Sequence, residues 1–261
     1  MRPASTGPAG PLRTAVVLSA QTDSRFIVQP RYCGPADRAN GGYVAGLLAR
    51  TLQQPFQLTY RRPVPLDTEV HVIRRDNGFH LVHDELVLAE VLPTELTHDV
   101  PSPPSHSEAA DAQERYAARV RHPFPHCFVC GTRRSPGDGL RLFAGPVEGR
   151  ELVACTWMPG ADVAGNDGHT REEVMFAALD CPGCFASFLY RPPGPAVLGR
   201  ITAEVLGRPR TGQPCVVYGW AISRDGRKHV VGTAVAGPDG ELLGRAQATW
   251  VDVQFGDQGP V

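Results

Sequence analysis

The chain has 261 residues, enough for one large domain or two small ones of about 130 residues each. Its 26 basic and 27 acidic residues balance without a long block of like charge, which excludes the electrostatic footprint of a nucleic-acid-binding protein. No apolar run approaches the about 18–20 residues that cross a bilayer, so we expect a cytoplasmic protein that does not bind membranes. In that compartment, seven cysteines predict free thiols or metal ligands rather than a disulfide framework.

The first half of the chain, residues 1–95, is predicted to carry one helix and a set of short strands. A first strand is expected at 15–18. The sequence GGYVAGLLARTL predicts a helix over 41–52, because its apolar residues recur at helical spacing. Short apolar segments follow it, and the pair Asn77-Gly78 between two of them is typical of a hairpin turn.

A linker with a short helix is predicted over 96–121. The stretch PTELTHDVPSPPSHS that leads into it carries four prolines and almost no periodic apolar signal. The sequence SEAADAQERYAARV then predicts a helix over 107–120 with Ser107 as its N-cap. Ordered structure resumes at the sequence HPFPHCFVCG, which opens the second half at 122–261.

The second half repeats the pattern of the first. Its helix is predicted over 171–189, where apolar residues occupy most faces, so this helix should be buried on nearly all sides. In both halves a helix precedes a strand that ends in Arg-Pro, at Arg62-Pro63 and Arg208-Pro209, and strands joined by hairpin turns follow. This internal duplication, with each helix wrapped by an antiparallel sheet, predicts an α+β fold of the double-hotdog type.

Several segments, taken in chain order, resemble one known family. They are NGGYVAGLLAR, HPFPHCFVCG, FAALDCPGCFA, LGRITAEV and GRAQATWV. In this order they resemble the tandem-hotdog, type II-like acyl-CoA thioesterases and the thioesterase-like proteins common in actinobacteria. The resemblance implies hydrolysis by water of an acyl thioester of CoA or of a carrier protein. It also implies that no metal or redox cofactor is required, and it allows a homo-oligomer.

Asp180 is the strongest candidate for a catalytic residue. It stands in the apolar segment AALDCPG, where an ionised carboxylate is costly to bury. One interpretation is a general base that activates water, and the other is a structural cap beside Pro182-Gly183, where the helix must kink or break. The resemblance implies the first, with Gln247 of the last strand and Thr202 of the strand after the helix as its partners. An ordinary polar strand residue is the alternative interpretation of Gln247.

The segment Asn40-Gly41-Gly42-Tyr43 predicts the start of the first helix, with Asn40 as its N-cap. Paired glycines leave unencumbered N–H groups at a helix N-terminus, which suits the oxyanion of a tetrahedral thioester intermediate. We therefore predict that Gly42 contributes to catalysis and that Asn40, Gly41 and Tyr43 contact the substrate. Simple capping and a tight approach of helix and sheet would explain the same glycines.

At the start of the second helix, His169 and Glu173 are spaced to form an acid–base pair that contacts the substrate. An exposed first-turn histidine without a chemical role is the alternative. A hydratase or dehydratase of acyl thioesters, the first alternative function, would need such a pair. The second alternative is a non-catalytic acyl- or ligand-binding protein, which is favoured if Asp180 is fully hydrogen-bonded to backbone with no cavity beside it.

Two Cys-x-x-Cys pairs, Cys127/Cys130 and Cys181/Cys184, contain the ligands of a tetrahedral zinc site. Their separation of 51 residues, from position 130 to position 181, is far outside the spacing of zinc ribbons. The second pair also lies on or beside a buried helix. We therefore expect packed free thiols and no metal, with a shared zinc site as the alternative.

Overall fold

The computed structural model describes residues 24–189 and 194–254. Within them, eleven strands form one antiparallel sheet. The strands are β1 (Ser24–Ile27), β2 (Phe56–Tyr60), β3 (Glu69–Arg75), β4 (Gly78–His83), β5 (Leu86–Pro93), β6 (Gly145–Pro146), β7 (Val153–Trp157), β8 (Ala196–Val205), β9 (Cys215–Asp225), β10 (Lys228–Ala236) and β11 (Leu242–Asp252). The helices are α1 (Gly41–Leu52), α2 (His106–Glu114), α3 (Glu172–Ala178) and α4 (Cys181–Ala186). The strand predicted at 15–18 lies outside the described residues.

The order of the strands places the two halves of the chain side by side. The first half contributes β1-β3-β4-β5-β2, and the sheet continues through the second half as β8-β11-β10-β9-β7-β6. β2 pairs with β8 where the halves meet, and Leu58 lies opposite Ile201 there. The prediction of an α+β fold whose strands join in one continuous antiparallel sheet is confirmed.

The helices α1 and α3 pack against each other without room for side chains between their backbones. A Cβ atom added at Gly46 would lie 2.3 Å from the Cα atom of Glu173, and one at Gly42 would lie 2.6 Å from the carbonyl oxygen of Phe176. Gly46, the later glycine of α1, faces Glu173 near the start of α3, and Gly42 faces Phe176 further along α3, so the two helices run antiparallel. Buried apolar side chains from these helices and from both halves of the sheet form one core beneath them.

The helix predicted over 171–189 is divided into α3 and α4. Asp180 lies between them, and its backbone is not helical, with φ −89° and ψ −81°. Pro182 has no N–H to continue the hydrogen-bond ladder of α3, which explains the break. None of the helices in the described ranges is long and apolar enough to cross a membrane.

The predicted linker packs on the outer face of the sheet in the second half. Its helix α2 begins after Ser105 rather than Ser107, because Ser105 and Glu108 form a reciprocal capping box. Small residues of α2 join a second apolar cluster with side chains of β7, β9 and β10. The hydroxyl of Tyr218 donates a hydrogen bond to the carbonyl oxygen of Pro101 at 3.0 Å. This part of the chain therefore covers the sheet and is itself ordered by it.

Candidate functional site

A cavity of about 370 Å³ opens where the start of α1 meets the break between α3 and α4. Both halves of the chain contribute to its wall. Most of the wall is apolar or aromatic and a few polar groups converge on one side, which is the usual composition of a small-molecule site. The apolar wall includes Val64, Phe124, Phe185, Phe188, Leu198 and Trp250.

Asp180 is buried in the wall of this cavity, with 1% of its surface exposed. Its Oδ2 atom accepts hydrogen bonds from Asn40 Nδ2 at 2.8 Å and from the backbone N–H of Gly42 at 3.1 Å. Its Oδ1 atom is also buried, and no described residue donates a hydrogen bond to it. One carboxylate oxygen is thus fixed by the protein, while the other keeps its capacity to accept a hydrogen bond from a bound molecule.

The surroundings of Asp180 move its pKa towards neutrality. Burial is the largest effect and raises the pKa from the usual 3.8 to about 7. The hydrogen bonds from Gly42 and Asn40 act in the opposite direction, and the nearby Cys127 adds to the rise. A carboxyl group that titrates near neutral pH can take up and release a proton under physiological conditions, as general acid–base catalysis requires.

The start of α1 holds Asp180 in place. Asn40 caps the helix, because its Oδ1 atom accepts the N–H of Tyr43 at 2.9 Å, and its Nδ2 atom binds Asp180. The N–H of Gly42 is already bound to Asp180, so the prediction that Gly42 offers a free amide to an oxyanion is wrong. Gly41 lines the cavity instead, and as the first helical residue it has no acceptor for its N–H within the helix.

Tyr60, at the end of β2, is a tyrosine of the cavity wall that the sequence analysis missed. Its hydroxyl donates to the carbonyl oxygen of Gly41 at 2.6 Å. Burial, with a smaller contribution from Asp180, raises its pKa well above the usual value. Tyr43, which was predicted to contact the substrate, lies in the core instead and stacks on Tyr32 with ring centroids 4.0 Å apart. A tyrosine at a strand end before an Arg-Arg-Pro turn is the signal that could have identified Tyr60.

Gln247 and Thr202 lie on the face of the sheet that points away from the cavity. They are direct partners across β11 and β8, so their side chains share a face. Their chain neighbours Ala246 and Ile201 point into the core, and side chains alternate along a strand. Contrary to the prediction, the structure therefore separates both residues from Asp180. A displacement of one residue along a strand is enough to move a side chain to the other face.

His169 and Glu173 do not form the predicted acid–base pair, and neither lines the cavity. The Glu173 carboxylate is buried and accepts hydrogen bonds from Arg171 at 3.1 Å and Arg50 at 3.4 Å. The Nδ1 atom of His169 lies 3.0 Å from the carbonyl oxygen of Asp167. The arrangement that a hydratase would need at this helix start is therefore absent from the described residues.

The two Cys-x-x-Cys pairs meet at the cavity, contrary to the expectation from their separation in the sequence. The Sγ atoms of Cys127 and Cys181 are 3.7 Å apart, and with Cys130 all three sulfur atoms lie within 4.8 Å of one another. Cys184 lines the same cavity. Hydrogen bonds from the thiols of Cys130 and Cys181 lower the pKa of Cys127 well below its usual value. The chain brings the pairs together because the segment that carries the first packs against α4.

Three arginine side chains, Arg38, Arg61 and Arg62, line the cavity. Arg38 pairs with Asp37 at 2.7 Å and Arg61 pairs with Glu90 at 2.6 Å. Arg62 donates to the carbonyl oxygen of Val87 at 3.1 Å. Among the described residues, Arg62 is thus the arginine of this lining that has no acidic partner.

No protein-family model matches the chain, and no curated protein sequence matches it. Several solved structures do match the chain. The TesB protein of Mycobacterium avium subsp. paratuberculosis is 14% identical with a TM-score of 0.56, and the match covers 90% of this chain and 95% of that one. A candidate thioesterase of Novosphingobium aromaticivorans is 12% identical with a TM-score of 0.56, covering 92% and 100%.

A third structure, a candidate thioesterase II of Thermobifida fusca, is 14% identical with a TM-score of 0.56, and the match covers 93% of this chain and 97% of that one. The chain has the fold of these thioesterases. At such low identity the likeness concerns the fold alone, and the residues of the site have to be argued from their own geometry.

Proposed function

We propose that the chain is a double-hotdog enzyme that hydrolyses an acyl thioester with a water molecule activated by Asp180. The strand order supports the double-hotdog part of this proposal. The order β1-β3-β4-β5-β2 of the first half has its counterpart in β7-β9-β10-β11-β8 of the second. In each half, the helices of the core precede the strand that lies at the junction of the two halves.

The observation that carries the proposed activity is the state of the Asp180 carboxylate. A carboxylate that only caps backbone would have its buried oxygens paired within the protein, because an unpaired buried polar atom costs about 1–3 kcal/mol. Oδ1 of Asp180 has no donor among the described residues and belongs to the wall of an apolar cavity. A water molecule bound to this oxygen would be ordered next to a group that can take its proton.

In the proposed reaction, Asp180 removes a proton from this water as the water oxygen attacks the carbonyl carbon of the thioester. The carbonyl oxygen becomes an oxyanion, and the N–H of Gly41 at the start of α1 is its candidate donor. The C–S bond then breaks, and the proton held by Asp180 passes to the departing sulfur. One thioester and one water thus yield one carboxylic acid and one thiol.

The cavity fits a substrate with an apolar acyl group and a phosphate-bearing thiol. The aromatic and aliphatic wall would hold the acyl chain. Arg62 in the lining would meet a phosphate group, for which guanidinium is well suited. CoA carries its phosphates on the thiol side of the scissile bond, and so does the phosphopantetheine arm of a carrier protein.

The proposal is tested by the Asp180→Asn variant, with hydrolysis followed as release of free thiol from short- and medium-chain acyl-CoA. We expect the rate to fall by at least about 10²-fold, because the amide fills the same space but cannot take up a proton. The melting temperature should stay close to that of the unchanged protein. Asp167→Asn is the matched control, since Asp167 pairs with Arg208 outside the cavity, and it should hydrolyse at the full rate.

Two outcomes would contradict the proposal. Retained turnover in Asp180→Asn with a lowered melting temperature would show that Asp180 is a structural cap. A complete lack of turnover by the unchanged protein, on acyl-CoA of every chain length and on carrier-linked thioesters, would identify a non-catalytic binding protein.

A further inference from the structure

We propose that Cys127, Cys130, Cys181 and Cys184 bind one zinc ion in the wall of the cavity. The three sulfur atoms of Cys127, Cys130 and Cys181 already lie within 4.8 Å of one another. Tetrahedral zinc with Zn–S bonds of about 2.3 Å places its ligands about 3.8 Å apart. The 3.7 Å between the Cys127 and Cys181 sulfur atoms is therefore the edge of such a tetrahedron. This proposal is independent of the proposed hydrolysis.

The loop that carries the first pair is built to present two thiolates. The N–H of Phe128 donates to the carbonyl oxygen of Cys33 at 2.8 Å, and the N–H of Leu142 donates to the carbonyl oxygen of Val129 at 2.9 Å. The N–H of Gly131 donates to the carbonyl oxygen of Cys127 at 2.9 Å, which closes the turn. A Cβ atom at Gly131 would lie 2.5 Å from that oxygen, so the turn requires glycine. These contacts hold the segment of the first pair in one conformation, as the groups around a metal site hold its ligands in place.

The second pair belongs to α4. Cys181 is the first residue of this helix, and Cys184 follows three positions later, so both lie on the same helical face. Both residues are part of the cavity wall. The Cys184 sulfur lies outside the group of three, so it would have to move towards them to bind the ion. The pattern of two Cys-x-x-Cys pairs makes it the fourth ligand.

His122 is the other nearby candidate for the fourth position, and its hydrogen bonding argues against it. Its Nδ1 atom accepts the N–H of Phe124 at 2.8 Å. In a neutral imidazole, the proton must then be on Nε2, which makes that atom a donor and not a metal ligand. The Nε2 atom is buried in the same wall and has no acceptor among the described residues.

The test is the metal content of protein purified under reducing conditions without chelators. Elemental analysis should find one zinc per chain in the unchanged protein, and much less in Cys127→Ser and Cys181→Ser. Cys155→Ser is the matched control, because Cys155 is equally buried, on β7, outside the group of three sulfur atoms, and should keep its zinc. Circular dichroism checks that each variant is folded.

Three results would overturn the proposal. Unchanged protein that neither contains zinc nor takes it up after reduction has no site. Iron in place of zinc would overturn the identity of the ion, since tetrahedral sulfur sites accept either metal. A disulfide bond between Cys127 and Cys181, found in protein purified under reducing conditions, would explain the short distance between the two sulfur atoms without a metal ion.

Cobalt substitution tests the number of thiolates. Co²⁺ added to metal-free protein should give the visible absorption bands of a tetrahedral site and a strong sulfur-to-metal charge-transfer band. In Cys184→Ser the charge-transfer intensity should fall by about a quarter, as three of four thiolates remain. Unchanged intensity in this variant would overturn the assignment of Cys184. No measurement here uses hydrolysis, so a failure of the zinc site and a failure of the proposed function are distinguishable.

Discussion

Asn40 joins the two halves of the chain through a single amide group. Its oxygen caps α1, and its nitrogen donates to Asp180 in the second half. Serine is also a good N-cap, but its short side chain does not extend to that carboxylate. We therefore expect Asn40→Ser to melt close to the unchanged protein while kcat falls about tenfold or more, the loss that corresponds to one hydrogen bond to a charged group.

This prediction is checked by measuring kcat and KM separately. Asn40 acts through Asp180 and is a positioning residue, so KM should change little while kcat falls. An increase in KM at constant kcat would mean that Asn40 contacts the substrate directly, as the sequence analysis expected.

The resemblance to type II-like thioesterases and the structure of this chain place Gln247 differently. The resemblance makes Gln247 a partner of Asp180, whereas its register with Thr202 and the core position of Ala246 place it on the outer face. We expect Gln247→Ala to hydrolyse acyl-CoA within about twofold of the unchanged rate, as for a surface substitution. A loss of 10²-fold or more would return Gln247 to the catalytic site and would contradict the assigned face.

The sequence predicts single residues well where one local rule is enough. An acid in an apolar helix is costly, which identified Asp180, and an asparagine before two glycines identified the cap at Asn40. Tyr60 was missed because the Arg-Arg-Pro turn after it marks the end of a strand but does not show that its hydroxyl turns towards the start of α1. The cluster around Cys127 was missed because it depends on contacts between segments that are distant along the chain.

At the scale of elements, the contact between α1 and α3 depends on glycine. Alanine normally favours a helix over glycine by about 1 kcal/mol. At Gly46 the added methyl group would lie 2.3 Å from the Cα atom of Glu173, so the helices must separate. We expect Gly46→Ala to lower the free energy of unfolding by about 1–3 kcal/mol, measured by urea titration.

Gly194→Ala is the control for this measurement, because no described residue lies within 4 Å of a Cβ atom at that position. Its free energy of unfolding should be unchanged or slightly increased. Equal stability of the Gly46 and Gly194 variants would contradict the close approach of the helices.

The elements themselves were predicted with uneven success, for physical reasons. α1 has a cap, a periodic apolar face and no internal proline, and its predicted residues are those of the structure. The segment 171–189 is apolar on most faces, so its periodicity does not reveal where it ends, and only the kink near Pro182 was foreseen. Which face of β11 points inward was not determined by the sequence, because its alternation is between small and polar residues.

At the scale of the whole molecule, the proposed zinc ion would connect the segment 127–130 to α4 and so stabilise the core around the cavity. An ion present at a thousand times its dissociation constant stabilises the folded state by about 4 kcal/mol. In a domain of this size, that corresponds to a fall in melting temperature of about 10 °C when a chelator removes the ion. Cys127→Ser should melt at the same temperature with and without chelator, and an equal shift in both proteins would contradict the prediction.

The two halves are not equivalent in their chemistry. Asp180 follows Arg171, the N-cap of α3, by nine residues, and the residue nine positions after Asn40, the N-cap of α1, is Ala49. The first half therefore lacks a carboxylate at the corresponding place. We therefore expect one catalytic site per chain, so that Asp180→Asn leaves no second site to hydrolyse acyl-CoA, and a remaining rate of about half would contradict this.

The joining of both halves in one polypeptide explains how this difference can exist. In an assembly of two identical subunits, every substitution appears twice, so both clefts must keep whatever chemistry one of them needs. Here the cleft at Asp180 can specialise in a reaction, while at the start of α3 Glu173 and its arginines have become an ion-paired brace between helices. In the proposed enzyme, only the half that holds Asp180 then needs catalytic groups, and the other half can use the same place to hold its helices together.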